Sequence, residues 1–333
     1  MERGKTIFVW ACLFVVVPIV LTAECPSKED VFPCTCRDYS YGVGVQCDKI
    51  GVEVLVRVAS NFRGKNVDYF TITNSEFGFI PYDVFKGIKL REFGIENSTL
   101  AALTDKDEAF VGLEEELEEI SITSCVFDSE WDWSVLRSLK KLKYLTIEKS
   151  LHLRTLGTDV MKSSLPSSLK YFSFSGNNIS SVSDHAFDSF KEVTNLYLGY
   201  NRIRNVKRTM FPNPSWNLYF LDISGNLIEE IPKDMFTRMM NLRFLNIRYN
   251  KILVLNQVTF SPVWDRLAGL FVSGNPLRCD CSMSWILVQK APDNFPGECA
   301  SPPELEGKKL TKLESKDFVC NVQNRVVNPK AKS

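Results

Sequence analysis

Histidine is almost missing from this chain: two residues, His152 and His185, in 333. They fall in different segments, so a histidine-based metal site or a Ser-His-Asp triad has almost no material to be built from. No glycine-rich phosphate loop occurs either. Ser175-Gly176-Asn177, Ser224-Gly225-Asn226 and Ser273-Gly274-Asn275 read instead as one turn used repeatedly. No excess of charge of either sign exists, 40 basic side chains standing against 40 acidic ones, which argues against a dedicated nucleic-acid binder. After residue 21 no apolar run reaches the about 20 residues that a membrane span needs, and no membrane anchor is expected. Carboxylates are plentiful, but paired acids for general acid–base work need a desolvated pocket. Residues 113–120 show solvated acids around Leu117. No enzyme activity, cofactor or metal is expected.

What is present begins with a targeting segment. The chain opens Met-Glu-Arg-Gly-Lys, stays uncharged through residues 6–21, and offers Thr22-Ala23 before Glu24. That is the make-up of a secretory signal peptide cut after Ala23, although Leu21 is larger than the residue usually preferred there. An apolar run of 16 residues containing Pro18 is short for an anchor. A secreted, extracellular product is expected. Removing residues 1–23 takes away Glu2, Arg3 and Lys5 and leaves 38 basic against 39 acidic side chains. The charges are segregated: residues 92–132 hold 13 acidic side chains and one basic, Lys106, whereas residues 202–251 hold nine basic and four acidic. Such a body would orient a charged partner during encounter, although a run like Glu114-Glu115-Glu116 reads first as a solvated face.

The rest of the chain is a repeat. Leu218, Leu221, Ile223, Asn226 and Ile228 are answered 24 residues later by Leu242, Leu245, Ile247, Asn250 and Ile252. Nine units register by their first apolar position: Val67, Leu90, Leu117, Leu142, Leu169, Val193, Leu218, Leu242 and Leu267. A second periodicity supports the first, with Phe85, Phe187, Phe211, Phe236 and Phe260 each 18 places after their own unit's start and Phe110 20 places after. These phenylalanines are expected to close a hydrophobic column rather than touch a ligand. The pattern Leu-x-x-Leu-x-Leu-x-x-Asn-x-Ile resembles the leucine-rich repeat family, in which each unit supplies one short strand and a return segment. The resemblance implies an α/β solenoid: a leucine-rich repeat horseshoe with a parallel concave β-sheet and about nine repeats, disulfide-capped at both ends.

Cysteines flank the repeats in two groups of four. Cys25, Cys34, Cys36 and Cys47 precede them, and Cys279, Cys281, Cys299 and Cys320 follow. Behind an export signal, such groups indicate disulfides more than zinc. A bridge within either Cys-x-Cys would be strained, which leaves two connectivities open for each group. The first group looks like the N-terminal cap of extracellular leucine-rich repeat proteins, and residues 275–286, NPLRCDCSMSWI, look like their C-terminal cap. That resemblance implies interlaced bonds, Cys25 with Cys36 and Cys34 with Cys47, then Cys279 with Cys299 and Cys281 with Cys320. Caps are needed on physical grounds too, because a stacked sheet ends in open edges and exposed apolar core. The expected division is a signal peptide at 1–23, an N-terminal cap at 24–66, repeats at 67–274, a C-terminal cap at 275–320 and a polar tail at 321–333. Residues 25–36, CPSKEDVFPCTC, with Cys47-Asp48-Lys49-Ile50, further resemble arthropod proteins similar to the non-catalytic subunit of decapod shrimp luciferase. That subunit accompanies a separate catalytic chain, so the resemblance implies an accessory role and no luciferase activity.

Several positions carry their own expectations. Asn177, Asn201, Asn226, Asn250 and Asn275 stand where the chain leaves its strand, and a buried amide there can bond backbone groups that no strand partner satisfies. The first four repeats place Ser75, Ser98, Cys125 and Ser150 at that point, so a weaker ladder and a less regular N-terminal half are expected. Cys125 is read as a buried stand-in for asparagine rather than one half of an intermolecular disulfide. Two glycosylation sequons occur, at Asn97 and Asn178, both at turns after a strand; Asn178 is expected to project outward. A local bulge is expected at Leu151-His152-Leu153. Trp131 and Trp133 share one side if their segment is extended, and divide between core and surface if it is helical.

Function is expected on a surface. Residues alternating with the core positions of a strand face the other way, and in the C-terminal half these are aromatic. The expected partner-binding set is Tyr144, Tyr171, Tyr197, Tyr200, Phe220, Asp222, Phe244, Asn246, Arg248, Tyr249 and Phe271, edged by Arg243. Exposed aromatic residues and arginine supply much of the energy at protein interfaces, while tyrosines on a sheet also stabilise their neighbours by cross-strand packing. The leading expectation is a secreted, non-enzymatic binding protein with a protein partner on its concave face. The alternatives are an innate-immune or receptor-like recognition module, and a matrix protein binding glycosaminoglycan through Arg202, Arg204, Lys207, Arg208 and residues 308–316.

Overall fold

The structure, a computed structural model, describes residues 24–128, 132–150, 154–157 and 165–318. The expected signal peptide, Trp131, the Leu151-His152-Leu153 bulge, Cys320 and the polar tail lie outside these residues. A single sheet of 11 strands organises the rest. We number its strands β1 (Thr35–Tyr39), β2 (Gly42–Asp48), β3 (Asn66–Thr73), β4 (Lys89–Glu96), β5 (Glu119–Thr123), β6 (Tyr144–Glu148), β7 (Tyr171–Ser173), β8 (Asn195–Tyr197), β9 (Phe220–Asp222), β10 (Phe244–Asn246) and β11 (Gly269–Phe271). β1 and β2 form an antiparallel hairpin, and every later pairing is parallel between successive strands. The nine parallel strands from β3 to β11 correspond one for one to the nine units read from the apolar period.

The apolar positions explain why the chain folds this way. In the unit around β10, Leu242, Leu245, Ile247 and Ile252 are all buried, and their equivalents Leu218, Leu221, Ile223 and Ile228 stack on them. Each such side chain contributes about 1.5–3 kcal/mol by leaving water. Behind the sheet the phenylalanine row is buried as expected. Phe85 stacks on Phe110 at 6.3 Å, Phe187 on Phe211 at 6.0 Å, and Phe236 meets Phe260 at 5.5 Å between ring centres. Trp133 begins a short 3-10 helix, Trp133–Leu136, and is buried edge-on against Phe174 at 5.4 Å. It is a core residue.

At each strand exit the buried amide does what its position requires. Asn226 Nδ2 donates to the carbonyls of Leu198, Ile223 and Ser224 at 2.9, 3.1 and 3.0 Å, while its Oδ1 accepts from the Ile203 N–H at 2.9 Å. Asn201, Asn250 and Asn275 bond alike. In the N-terminal half Ser98 Oγ accepts from the Ser75 N–H at 3.0 Å and donates to the Glu96 carbonyl at 2.8 Å. Cys125 is buried and unbridged, its thiol directed at the carbonyls of Thr123 and Ile95 at 3.4 and 3.6 Å. Burial pushes its pKa up, which suits a packed side chain and not a nucleophile.

The expectation that the N-terminal half is less regular is reversed. β3 and β4 run for 8 residues and β5 and β6 for 5, whereas β7 to β11 have 3 each. The ladder adds to the backbone pairing and does not replace it: the Gly199, Ser224 and Arg248 carbonyls each accept a ladder amide and also a backbone N–H of the preceding repeat.

Caps close both ends. Cys25 is bonded to Cys36 and Cys34 to Cys47, the interlaced pattern that the cap resemblance implies. Arg57, on the cap helix Val52–Ser60, donates to the carbonyls of Asp30 and Phe32 and ties that helix to the first disulfide loop. At the far end Cys279 is bonded to Cys299, and Cys281 is itself disulfide-bonded, its expected partner Cys320 lying outside the described residues. The edge of β11 is covered by residues 294–296, which bond Leu270 and Val272. Trp285 packs on Trp264 at 4.5 Å and donates to the Leu255 carbonyl at 2.9 Å.

Replacing Asn226 by alanine removes four hydrogen bonds at a buried turn: the Leu198, Ile223 and Ser224 carbonyls each keep one other partner, and the Ile203 N–H is left bare. It is expected to destabilise the fold by about 2–3 kcal/mol, read as a lower urea midpoint. A loss under about 0.5 kcal/mol would show that the ladder is incidental.

Candidate binding surface

The pairing register sets the open face of the sheet side chain by side chain. In one column stand Tyr69, Glu92, Glu119, Tyr144, Tyr171, Asn195, Phe220, Phe244 and Gly269; in the next, Thr71, Gly94, Ser121, Thr146, Ser173, Tyr197, Asp222, Asn246 and Phe271. The alternation that predicts these columns is observed without a slip from β3 to β11.

The aromatic members form one continuous row. Ring centres are 6.1 Å apart from Tyr144 to Tyr171, 4.8 Å from Tyr171 to Tyr197, 5.0 Å from Tyr197 to Phe220 and 6.3 Å from Phe220 to Phe244. Gly269 is what lets the row close at its C-terminal end. A Cβ there would stand 2.9 Å from Phe244 Cδ1 and 3.0 Å from Phe271 Cζ, so both rings fold over the bare backbone. Tyr144 keeps 41% of its surface exposed, and the others are half-buried by one another. Cross-strand packing therefore stabilises the row while leaving its outer side open. Sequence alternation missed Tyr219, which precedes the facing column, stays 45% exposed and meets Phe244 edge-on at 5.4 Å. Its only signal was an aromatic residue beside Phe220.

Polar residues are fixed around the row. Asp222 accepts from Asn246 Nδ2 at 3.0 Å and from the Ser224 N–H at 2.8 Å. The Arg248 guanidinium lies 4.6 Å above the Phe271 ring, a cation–π contact. Arg243 precedes β10 and is half-buried. Tyr200 and Tyr249 stand at the margin of this face. Each occupies the left-handed region, φ 53°, one residue before a ladder asparagine, with its ring over the glycine of the next repeat. A Cβ on Gly225 would come 2.7 Å from Tyr200 Cδ1, and one on Gly274 would collide with Tyr249 in the same way. Both tyrosines remain more than half exposed.

Other candidates are placed differently. Arg208 does not belong to a basic surface: it is 4% exposed, and its guanidinium donates to the carbonyls of Thr237, Phe211 and Pro212 at 2.7, 3.2 and 2.8 Å. Lys207 pairs with Asp184, Lys308 with Asp317 and Lys316 with Glu314. Arg202 and Arg204 are exposed. Asn97 is exposed at a left-handed turn, with Nδ2 donating to Asn74 Oδ1 at 2.5 Å, whereas Asn178 is half-buried at another such turn. His185 is a surface residue whose ring Nδ1 lies 2.7 Å from Asp188. Among the described residues no cluster of metal-ligating side chains is found, and no helix is long and apolar enough to cross a membrane.

Burial, reinforced by neighbouring Tyr197 and Glu148, pushes the Tyr171 phenol up to about 12 from its ordinary 10.0. A raised folded-state value means that the protonated ring is the one the fold holds. Its contribution is present in full below about pH 10 and is lost as pH rises toward 12. Tyr69 is also pushed up, by its hydrogen bond with Tyr39, so an ultraviolet phenolate titration is expected to show a late-ionising fraction that Tyr171→Phe reduces by one tyrosine.

Residues 140–203 and 217–277 match the leucine rich repeat family. The zebrafish (Danio rerio) leucine-rich repeat and fibronectin type III domain-containing protein 1-like protein is 29% identical over 154 residues, 42% of this chain and 22% of that protein. Mouse (Mus musculus) Toll-like receptor 9 is 27% identical over 152 residues, 44% of this chain and 15% of that one. The match thus spans less than a quarter of either relative. Among solved structures, a chain of the octameric complex of latrophilin 3, Unc5D and the FLRT2 leucine-rich repeats superposes with a TM-score of 0.59 at 17% identity, covering 89% of this chain and 100% of that one. Fold, disulfides and repeat match agree: the chain has the leucine-rich repeat fold with a disulfide-bonded N-terminal cap.

Proposed function

We propose that this chain is a secreted, non-enzymatic binding protein that holds a protein partner on the open face of its sheet. The observation that carries the reading is the aromatic row, in ring contact from Tyr144 to Phe244 and continued by Phe271 across Gly269. It joins six adjacent strands and is too extended to serve one repeat's packing alone. Disulfides at both ends suit an oxidising compartment. The solved complex of FLRT2 with latrophilin 3 and Unc5D supports protein binding by such a scaffold.

An accessory subunit accompanying a catalytic chain is one form that this function takes, and the sequence of the N-terminal cap supports it. Receptor-like recognition is a second form, supported by the similarity to Toll-like receptor 9. Glycosaminoglycan binding is less favoured, because Arg208 is buried and Lys207, Lys308 and Lys316 are already paired.

The test is affinity capture from native extracellular fluid with the wild-type chain and a Phe220→Ala/Phe244→Ala variant of unchanged circular dichroism. Two truncated aromatic anchors are expected to lower partner recovery at least about tenfold. Equal recovery of the same partners by both proteins would remove the aromatic row as the site.

A further inference from the structure

The open face is electrically graded along its length. On β4 to β6 it presents Glu92, Glu96, Glu119 and Glu148; in the C-terminal half it presents Arg248, two residues past the end of β10, and a single acid, Asp222, already held by Asn246 and the Ser224 N–H. Glu92 and Glu119 stand directly opposite each other on paired strands, where like charges repel. Arg91 makes contact ion pairs with Glu92 at 2.5 Å and Asp68 at 2.9 Å and acts on Glu119 only through space. Among the described residues Glu119 has no hydrogen-bond or ion-pair partner, and burial together with Glu92 pushes its pKa up. Its register neighbour on the other side is Tyr144, the most exposed ring of the row. A half-buried carboxylate flanked by a second carboxylate and an open aromatic ring suits an incoming cation. At the opposite end Arg248 is half-buried with its guanidinium over the Phe271 ring and has no ion-pair partner among the described residues, so its terminal N–H groups suit an incoming carboxylate.

We propose that the partner presents to this face an extended protein segment that is itself dipolar, with a lysine or arginine over Glu92 and Glu119, an apolar middle along the aromatic row, and a carboxylate at Arg248. The inference rests on the binding face proposed above and adds the partner's chemistry and direction. Five strand steps separate β5 from β10, about 24 Å at about 4.8 Å per step. An extended chain covers that span in about seven residues.

Three blocked nonapeptides with a common leucine–valine middle serve as probes: lysines at one end and aspartates at the other, lysines at both ends, and aspartates at both ends. Binding is followed by fluorescence anisotropy at low salt, with a photo-crosslinker beside one lysine of the dipolar peptide. The dipolar peptide is expected to bind about tenfold more tightly than either control and to crosslink to β4–β6. Glu92→Gln/Glu119→Gln, which is nearly isosteric, and Arg248→Gln, which removes the charge with a shorter side chain, are expected to remove most of that preference with the fold retained by circular dichroism. No preference, no binding, a crosslink at β10–β11, or an unaffected Glu92→Gln/Glu119→Gln variant overturns the inference. So does sedimentation showing that the face is occupied by a second copy of the chain. Phe220→Ala/Phe244→Ala separates the two levels: if it binds all three peptides as the wild type does, the binding face itself is wrong, and if it loses all three while the charge variants change nothing, only the dipolar partner is.

Discussion

One hydrogen-bonding problem governs this molecule: a chain that leaves a parallel strand and turns must satisfy its carbonyls inside a core without water. Asn201, Asn226, Asn250 and Asn275 solve it by reaching into the preceding repeat as well as their own. Leaving one such group bare costs about 1–3 kcal/mol, so no repeat is complete alone. Each is stable only because its neighbour supplies part of its hydrogen bonding, and the hydrophobic column follows the register that the amides impose.

The functional face inherits its regularity from that register. Because every strand from β3 to β11 starts in phase, the positions between core residues align into columns that the scaffold leaves unconstrained. Aromatic rings in adjacent rows then fall about one strand spacing apart and touch. Gly269, the one small residue in its column, is required by the rings folded over it.

Much of this was legible in the sequence because it is periodic. The nine strands, the phenylalanine row, the buried Cys125 and both facing columns follow from spacing and alternation. The Cys25–Cys36 and Cys34–Cys47 pairing followed from the cap resemblance, since strain alone left two connectivities open. What escaped was non-periodic. The burial of Arg208 depends on a loop whose carbonyls converge on its guanidinium, which composition presents merely as one more surface cation. The longer N-terminal strands escaped because the number of bonds a ladder side chain makes does not set how far its strand pairs. Strand alternation does not predict the placement of Tyr200 and Tyr249, whose left-handed backbone lays each ring over a glycine of the next repeat at the margin of the face.

That left-handed row has a consequence for how the chain can be shortened. Its occupants alternate in the C-terminal half, Gly176, Tyr200, Gly225, Tyr249, Gly274, because each tyrosine needs a glycine after it. The structural period here is therefore two repeats, 49 residues from Tyr200 to Tyr249, and not one. Excising a single unit would bring tyrosine against tyrosine or glycine against glycine, whereas excising a pair rejoins the surface in phase. For evolution or engineering, the indivisible module of this half is the repeat pair.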